Sequence, residues 1–139
     1  MADEPVVLFD LNVILDVLQK REPFYDASAQ LLAFAERGRI NGYVAAHNMT
    51  TLYYLLEKDK SSGEARAVIT TLLQFLQIAP VDQATIEQAL GLDYQDFEDA
   101  VTMIAAVLCK AEMLLTRNDK DFSPALIPVI KPVDFLGTF

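Results

Sequence analysis

Short β-rich runs alternate with helical segments along nearly the whole chain, and this alternation is the tightest constraint on its fold. Pro5–Phe9 is an apolar run closed by Asp10, and its pattern predicts a buried strand. Ile40–Ala45, Ile78–Val81, Met113–Thr116 and Ile127–Ile130 predict further strands. Asn12–Leu18 repeats apolar residues at helical spacing. Pro23–Glu36 follows as a second helix, with Leu31, Leu32 and Phe34 as its apolar stripe and Gly38 as its stop. Asn48–Lys58 and Glu64–Leu76 read as helices separated by Ser61–Gly63. Asp82 is a natural cap for Gln83–Leu90, which Gly91 ends, and Asp93 for a long helix through Ala111. Strands separated by helices or helix pairs favour a parallel sheet wrapped on both faces. No repeat, linker or composition shift divides the 139 residues, so a single α/β domain is expected.

Composition narrows the function classes. The chain is 53% hydrophobic and 22% charged, which excludes a disordered or low-complexity protein. Its long uncharged apolar stretches, such as Ala100–Cys109, are too short to span a bilayer, and Met1–Pro5 lacks the basic start of a signal peptide. Cys109 is the only cysteine, so no internal disulfide and no thiolate zinc cluster can form. A soluble, reducing, cytoplasmic setting is expected. A net charge of −9 argues against broad binding to nucleic acid through a basic face. It leaves room for an enzyme built on a local cluster of carboxylates.

In open parallel sheets the site lies at the carboxyl ends of the strands. Asp10 ends the first strand, where a carboxylate is costly unless it is solvated, paired or bound to metal. Its alternative role is a helix cap. Asp16 reads as a solvated helix position. Asp93, Asp96 and Asp99 recur every three residues and share a helix face, with Glu98 directed elsewhere. Capping and the helix dipole account for acids in a first turn, but Asp99 is expected about two turns in, where capping gains little. Thr116, Asn118 and Asp121 close the fourth strand with short polar side chains. A site of oxygens alone, without histidine or thiolate, suits Mg²⁺ or Mn²⁺, which activates water and neutralises a phosphodiester under attack.

Three blocks carry a family resemblance. Phe9-Asp10-Leu11-Asn12-Val13-Ile14-Leu15-Asp16, Asp96-Phe97-Glu98-Asp99-Ala100 and Thr116-Arg117-Asn118-Asp119-Lys120-Asp121-Phe122 resemble, in order and spacing, the signature blocks of the PIN-domain ribonucleases. Many compact bacterial members of that family are toxins of toxin–antitoxin pairs, the VapC type. The resemblance implies a three-layer α/β/α sandwich with a five-stranded parallel sheet of order 3-2-1-4-5. It also implies Mg²⁺- or Mn²⁺-dependent RNA cleavage and a possible antitoxin partner. Asp10, Asp99 and Asp121 would hold metal, Asp96 would join them or act through water, and Asn12, Thr116 and Asn118 would shape the site. The family places a glutamate about where Thr51 stands, and the next acid, Glu57, is expected to point away. That departure leaves open a one-metal site, or a non-catalytic module of the same fold that binds protein or RNA.

Other readings fit less of the chain. Phe9-Asp10-Leu11-Asn12 is similar to the opening of haloacid-dehalogenase-type phosphatases, but Asn12 cannot serve as the general acid, and Val13-Ile14 replace the expected Gly-Thr. A phosphate-receiver domain would use Thr116 and Lys131-Pro132 but needs an acidic pair at the first strand, where residue 9 is Phe. His47, the only histidine, reads as a cap or surface residue, Cys109 as packed in an apolar helix face, and Tyr53 and Tyr54 as helix packing. A homodimer is expected through the helices of Asn12–Glu36 or Asn48–Leu76, since two-fold dimers are the commonest oligomer.

Overall fold

Val6–Phe9 forms β1, the central strand. In this computed structural model, which describes residues 4–139, it is flanked by β2 (Asn41–Ala45) and β4 (Met113–Leu115). The N-terminal expectation drawn from Met1–Pro5 lies mostly outside the described residues. β3 (Leu76–Ala79) pairs with β2, and β5 (Val129–Ile130) pairs with β4. The five strands are all parallel, in the order 3-2-1-4-5, as the resemblance implies.

Side chains alternate across each strand and divide the core into two layers. Val7, Phe9, Val44 and Leu115 face one side. There they pack against α1 (Leu11–Leu18), α2 (Tyr25–Glu36), α3 (Ala46–Asp59), α4 (Ser62–Leu72) and α7 (Pro132–Leu136). Leu8, Ala45 and Leu114 face the other side, under α6 (Phe97–Leu108), with α5 (Gln83–Leu90) packed beside it. Gly42 allows the closest approach within the sheet: a Cβ there would lie 2.8 Å from both Leu76 and Phe9 side-chain carbons. No helix of the described residues is long and apolar enough to cross a membrane.

Several boundaries differ from expectation. The helix drawn through Leu76 stops at Leu72, because Leu76 is claimed by β3, where it pairs with Gly42 and is buried. The third strand is therefore two residues earlier than Ile78–Val81. Asp82 caps α5 through a reciprocal capping box with Thr85, as its position suggested. Asp93 caps nothing: the chain runs on through a loop, and Asp96 is the N-cap of α6, accepting from the Glu98 amide at 2.9 Å. Asp99 accordingly sits in the first turn of α6, not two turns in. The helix dipole alone would therefore account for an acid at this position, and what distinguishes Asp99 is its surroundings. α7 was not expected, although Pro132 at its first position is a standard start signal.

Candidate functional site

The carboxyl edge of β1 and β4 sets the geometry. The Asp10 amide donates to the Leu115 carbonyl at 2.9 Å, extending the parallel ladder one step past β1. Asp10 occupies the N-cap position of α1 in an extended conformation, yet its side chain makes no capping bond. Its carboxylate instead accepts from Thr116 Oγ1 at 2.8 Å. The same hydroxyl accepts from the Asn118 amide at 3.0 Å, so β4's end, its turn and Asp10 form one hydrogen-bonded unit. Asp10 is 5% exposed. Burial pushes its carboxyl up to about 6, against the opposing effects of Thr116, the Leu11 amide and Arg117; Asp121 adds to the rise.

Asp99 enters from the other side, on α6. Burial is again the largest cause of its shift, and the negative charges of Asp96, Asp10, Asp121 and Glu98 add to it, raising it to about 7. Asp10, Asp96, Asp99 and Asp121 therefore share one electrostatic neighbourhood. A cleft of about 440 Å³ opens over it, lined by Asp93, Gln95, Asp96, Asp99, Lys120, Asp121 and Ser123. Asp121 is exposed and ends a short 3₁₀ turn, Asp119–Asp121, whose closing amide donates to the Asn118 carbonyl at 3.0 Å. Asn12 lies half-buried in the first turn of α1, beside Asp10 in sequence.

The donor chemistry fits a hard divalent cation. It consists of carboxylates and hydroxyls, and its carboxylates resist ionising together. Among the described residues no three acidic, histidine or cysteine side chains close into a ready cage. Mg²⁺ does not need one, since it keeps several waters and takes only one or two carboxylates.

Two residues read differently in place. Asp16 is not solvated. Its side chain is fully buried, bonded to Arg117 Nε at 2.7 Å and paired with Arg21 at 3.6 Å. Asn12 and Asp16 stand four residues apart on one face of α1, so the local pattern points Asp16 to solvent, and it is the distant Arg117 that covers it. His47 is no surface residue either: its Nε2 lies 3.1 Å from the Glu98 carbonyl and 3.2 Å from Thr102 Oγ1, tying α3 to α6 beside the cleft. Buried Asn48 reaches the same Thr102 hydroxyl at 3.5 Å. Thr51, at the family's glutamate position, turns its hydroxyl onto its own helix, donating to the His47 carbonyl at 3.3 Å. Glu57 is exposed, as expected.

Comparison with known proteins agrees with this geometry. The family model described as "PIN domain" matches residues 6–120. A curated relative, Ribonuclease VapC1 of Aquifex aeolicus, is 31% identical over 134 residues, covering 93% of this chain and 92% of the relative. Among solved structures, FitAcB from Neisseria gonorrhoeae has a TM-score of 0.70 at 18% identity, covering 91% of this chain and 98% of that one. A toxin–antitoxin complex from Klebsiella pneumoniae has a TM-score of 0.68 at 24% identity, covering 91% and 97%.

Proposed function

Because this chain belongs to the PIN-domain family, we propose that it is a cytoplasmic, divalent-metal-dependent ribonuclease, the toxin of a toxin–antitoxin pair. The observation that carries this reading is the Asp10–Asp99 neighbourhood, two carboxyls raised by burial and by surrounding negative charge with no ion pair to either among the described residues. The 31% identical relative named as a ribonuclease, and structural neighbours that are toxin–antitoxin complexes, support the substrate and the antitoxin partner.

Asp10, Asp99 and Asp121 would hold Mg²⁺ or Mn²⁺. When bound, such an ion supplies charge neutralisation at the phosphodiester and lowers the pKa of a water. The chain does the remaining work. Thr116 fixes the Asp10 carboxylate, and the Asn118 amide fixes the Thr116 hydroxyl, so the first donor is pre-oriented. Asp96, exposed at the cleft rim and capping α6 through the Glu98 amide, would join them or act through water. Asn12 and Asn118 shape the approach.

The test is cleavage of a panel of structured and single-stranded RNAs by purified protein. Mg²⁺ or Mn²⁺ should be required and EDTA should abolish turnover. A second reading, a non-catalytic module of the same fold, is favoured by Thr51, whose hydroxyl is committed to its own helix where the family has an acid. Metal binding without cleavage of any RNA in the panel would select that reading.

A further inference from the structure

A second concavity lies on the same sheet edge, on the opposite side from the acidic cleft. It is a cavity of about 460 Å³ between the start of α2 and α7. Its walls are largely apolar, with Phe24, Ala27, Pro132 and Val133 among them. Its rim carries Arg117, two residues past β4, Lys131, directly after β5, and one acid, Asp26. Arg117 comes directly after Thr116, the residue that holds Asp10, so the cavity and the acidic centre are separated by one residue of chain.

Arg117 is held rather than free. Buried Asp16 binds it through Nε at 2.7 Å, and its guanidinium lies 4.3 Å from the centroid of the Phe24 ring. Among the described residues, that leaves both Nη nitrogens without a hydrogen bond, and the side chain keeps 23% of its exposure. An arginine fixed at Nε presents a planar pair of donors that matches two phosphate oxygens. Inside the cavity, Ser28 is 1% exposed and its Oγ has no hydrogen-bond partner among the described residues. A buried hydroxyl without a partner costs free energy unless a ligand satisfies it.

We propose that this cavity and its arginine form a nucleotide subsite of the RNA site. A backbone phosphate next to the scissile one sits on the Arg117 guanidinium, and the attached base leaves the stack to enter the cavity against Phe24, within reach of the Ser28 hydroxyl. The substrate class is therefore single-stranded or looped RNA, since a base held in a duplex cannot enter. Asp16 is a positioning residue that aims Arg117. The inference rests on the ribonuclease reading for its substrate. The free guanidinium fork of Arg117, the unpartnered Ser28 hydroxyl and the continuity with Asp10 favour RNA over an apolar protein segment as the occupant, although Asp26 also stands at the rim.

Binding separates the two ideas, because it can be read without cleavage. The probe is a fluorescein-labelled, unstructured 20-nucleotide RNA titrated with the Asp99→Asn protein in Mg²⁺ across a salt series. Adding Arg117→Ala should weaken binding about ten-fold and reduce the slope of log affinity against log salt by about 0.7, the contribution of one single-strand phosphate. Arg117→Lys should restore the slope but not the full affinity, since lysine lacks the fork. Ala27→Leu, which fills the cavity, should weaken the unstructured probe about five-fold and leave a blunt RNA duplex unaffected. With Asp99 intact, Ala27→Leu should raise KM and spare kcat. Thermal melts of each variant confirm folding. An unchanged salt slope in folded Arg117→Ala overturns the phosphate contact. Equal binding by the Ala27→Leu protein overturns the base seat. If the Arg117 dependence holds while the wild type cuts no RNA, the subsite stands and the ribonuclease reading falls.

Discussion

The two sides of the sheet's carboxyl edge handle buried charge in opposite ways. Toward α2, Asp16 is fully buried and neutralised within the chain by Arg117 and Arg21. Toward α6, buried Asp10 and half-buried Asp99 have no ion pair among the described residues, and both resist ionisation. The sequence distance is small: six positions along α1 separate Asp10 from Asp16. What differs is the neighbourhood. Asp16 meets cations that the chain brings to it. Asp10 meets Thr116 and the Leu11 amide, and the charge of Arg117 offsets its burial only in part, while Asp121 opposes it and Asp99 shares its neighbourhood. A charge neutralised internally serves the fold, whereas one left uncompensated is available to an external cation. The contrast predicts that carboxylate removal has opposite consequences on the two sides.

The largest effect should be on activity. Asp10→Ala, Asp99→Ala and Asp121→Ala should each reduce metal-dependent RNA cleavage by orders of magnitude, because charge neutralisation and water activation both depend on the held ion. Glu57→Ala should leave cleavage near the wild-type rate. Initial rates on a labelled RNA at saturating Mg²⁺ measure this.

The next effect concerns stability and separates the two sides. Asp16→Ala strips the partner from two arginines and should destabilise the protein by about 2–3 kcal/mol. That is less than for a fully buried pair, because Arg117 and Arg21 retain 23% and 36% of their exposure. Asp99→Asn should do the reverse and raise the stability of the metal-free protein at pH 8. Urea melts with EDTA present report both signs.

A pH series sharpens the same contrast. Asp10 and Asp99 have folded pKa values of about 6 and about 7, above the ordinary 3.8. A raised carboxyl pKa means that the folded state binds more protons than the unfolded state. Its stabilising contribution is then complete below about pH 4 and is lost as pH rises through 6 and 7. From these two groups, metal-free protein should lose stability between about pH 4 and 7, and Mg²⁺ should restore part of it. The Asp10→Asn/Asp99→Asn protein should show a flatter profile over that range.

The smallest effect should come from Thr51→Glu. Its hydroxyl bond to the His47 carbonyl is local and weak at 3.3 Å. Losing it costs little, and an acid placed there should tighten Mn²⁺ binding a few-fold, read by calorimetry.

Much of this edge was legible in the sequence, for physical reasons. Short apolar runs separated by helical spacing leave a parallel sheet as the natural solution, and Asp10 and Thr116 had to lie at strand ends because the runs stop there. The pairing of Thr116 with Asp10 follows from β1 and β4 being neighbours in register, Phe9 against Leu115. Asp99 neighbours Asp10 and Asp121, but its depth in the helix is not readable from spacing, since the start of α6 depends on Asp96, not Asp93, accepting the first free amide. Asp16 was misread as solvated because its partner Arg117 lies 101 residues away, a separation no local pattern encodes. The same holds for His47, whose partners are on α6. Burial of a charge is a property of what the fold brings to it.

A divalent cation should bind on the α6 side of the sheet edge and not on the α2 side, where Asp16 is already paired. Calorimetric titration of Mn²⁺ at pH 6.5, in two buffers of different ionisation heat, tests it directly. The wild type should bind and release protons, because Asp10 and Asp99 are partly protonated at that pH and must ionise to hold the ion. The Asp10→Asn/Asp99→Asn protein should give no binding heat. An identical titration from the two proteins would contradict the account.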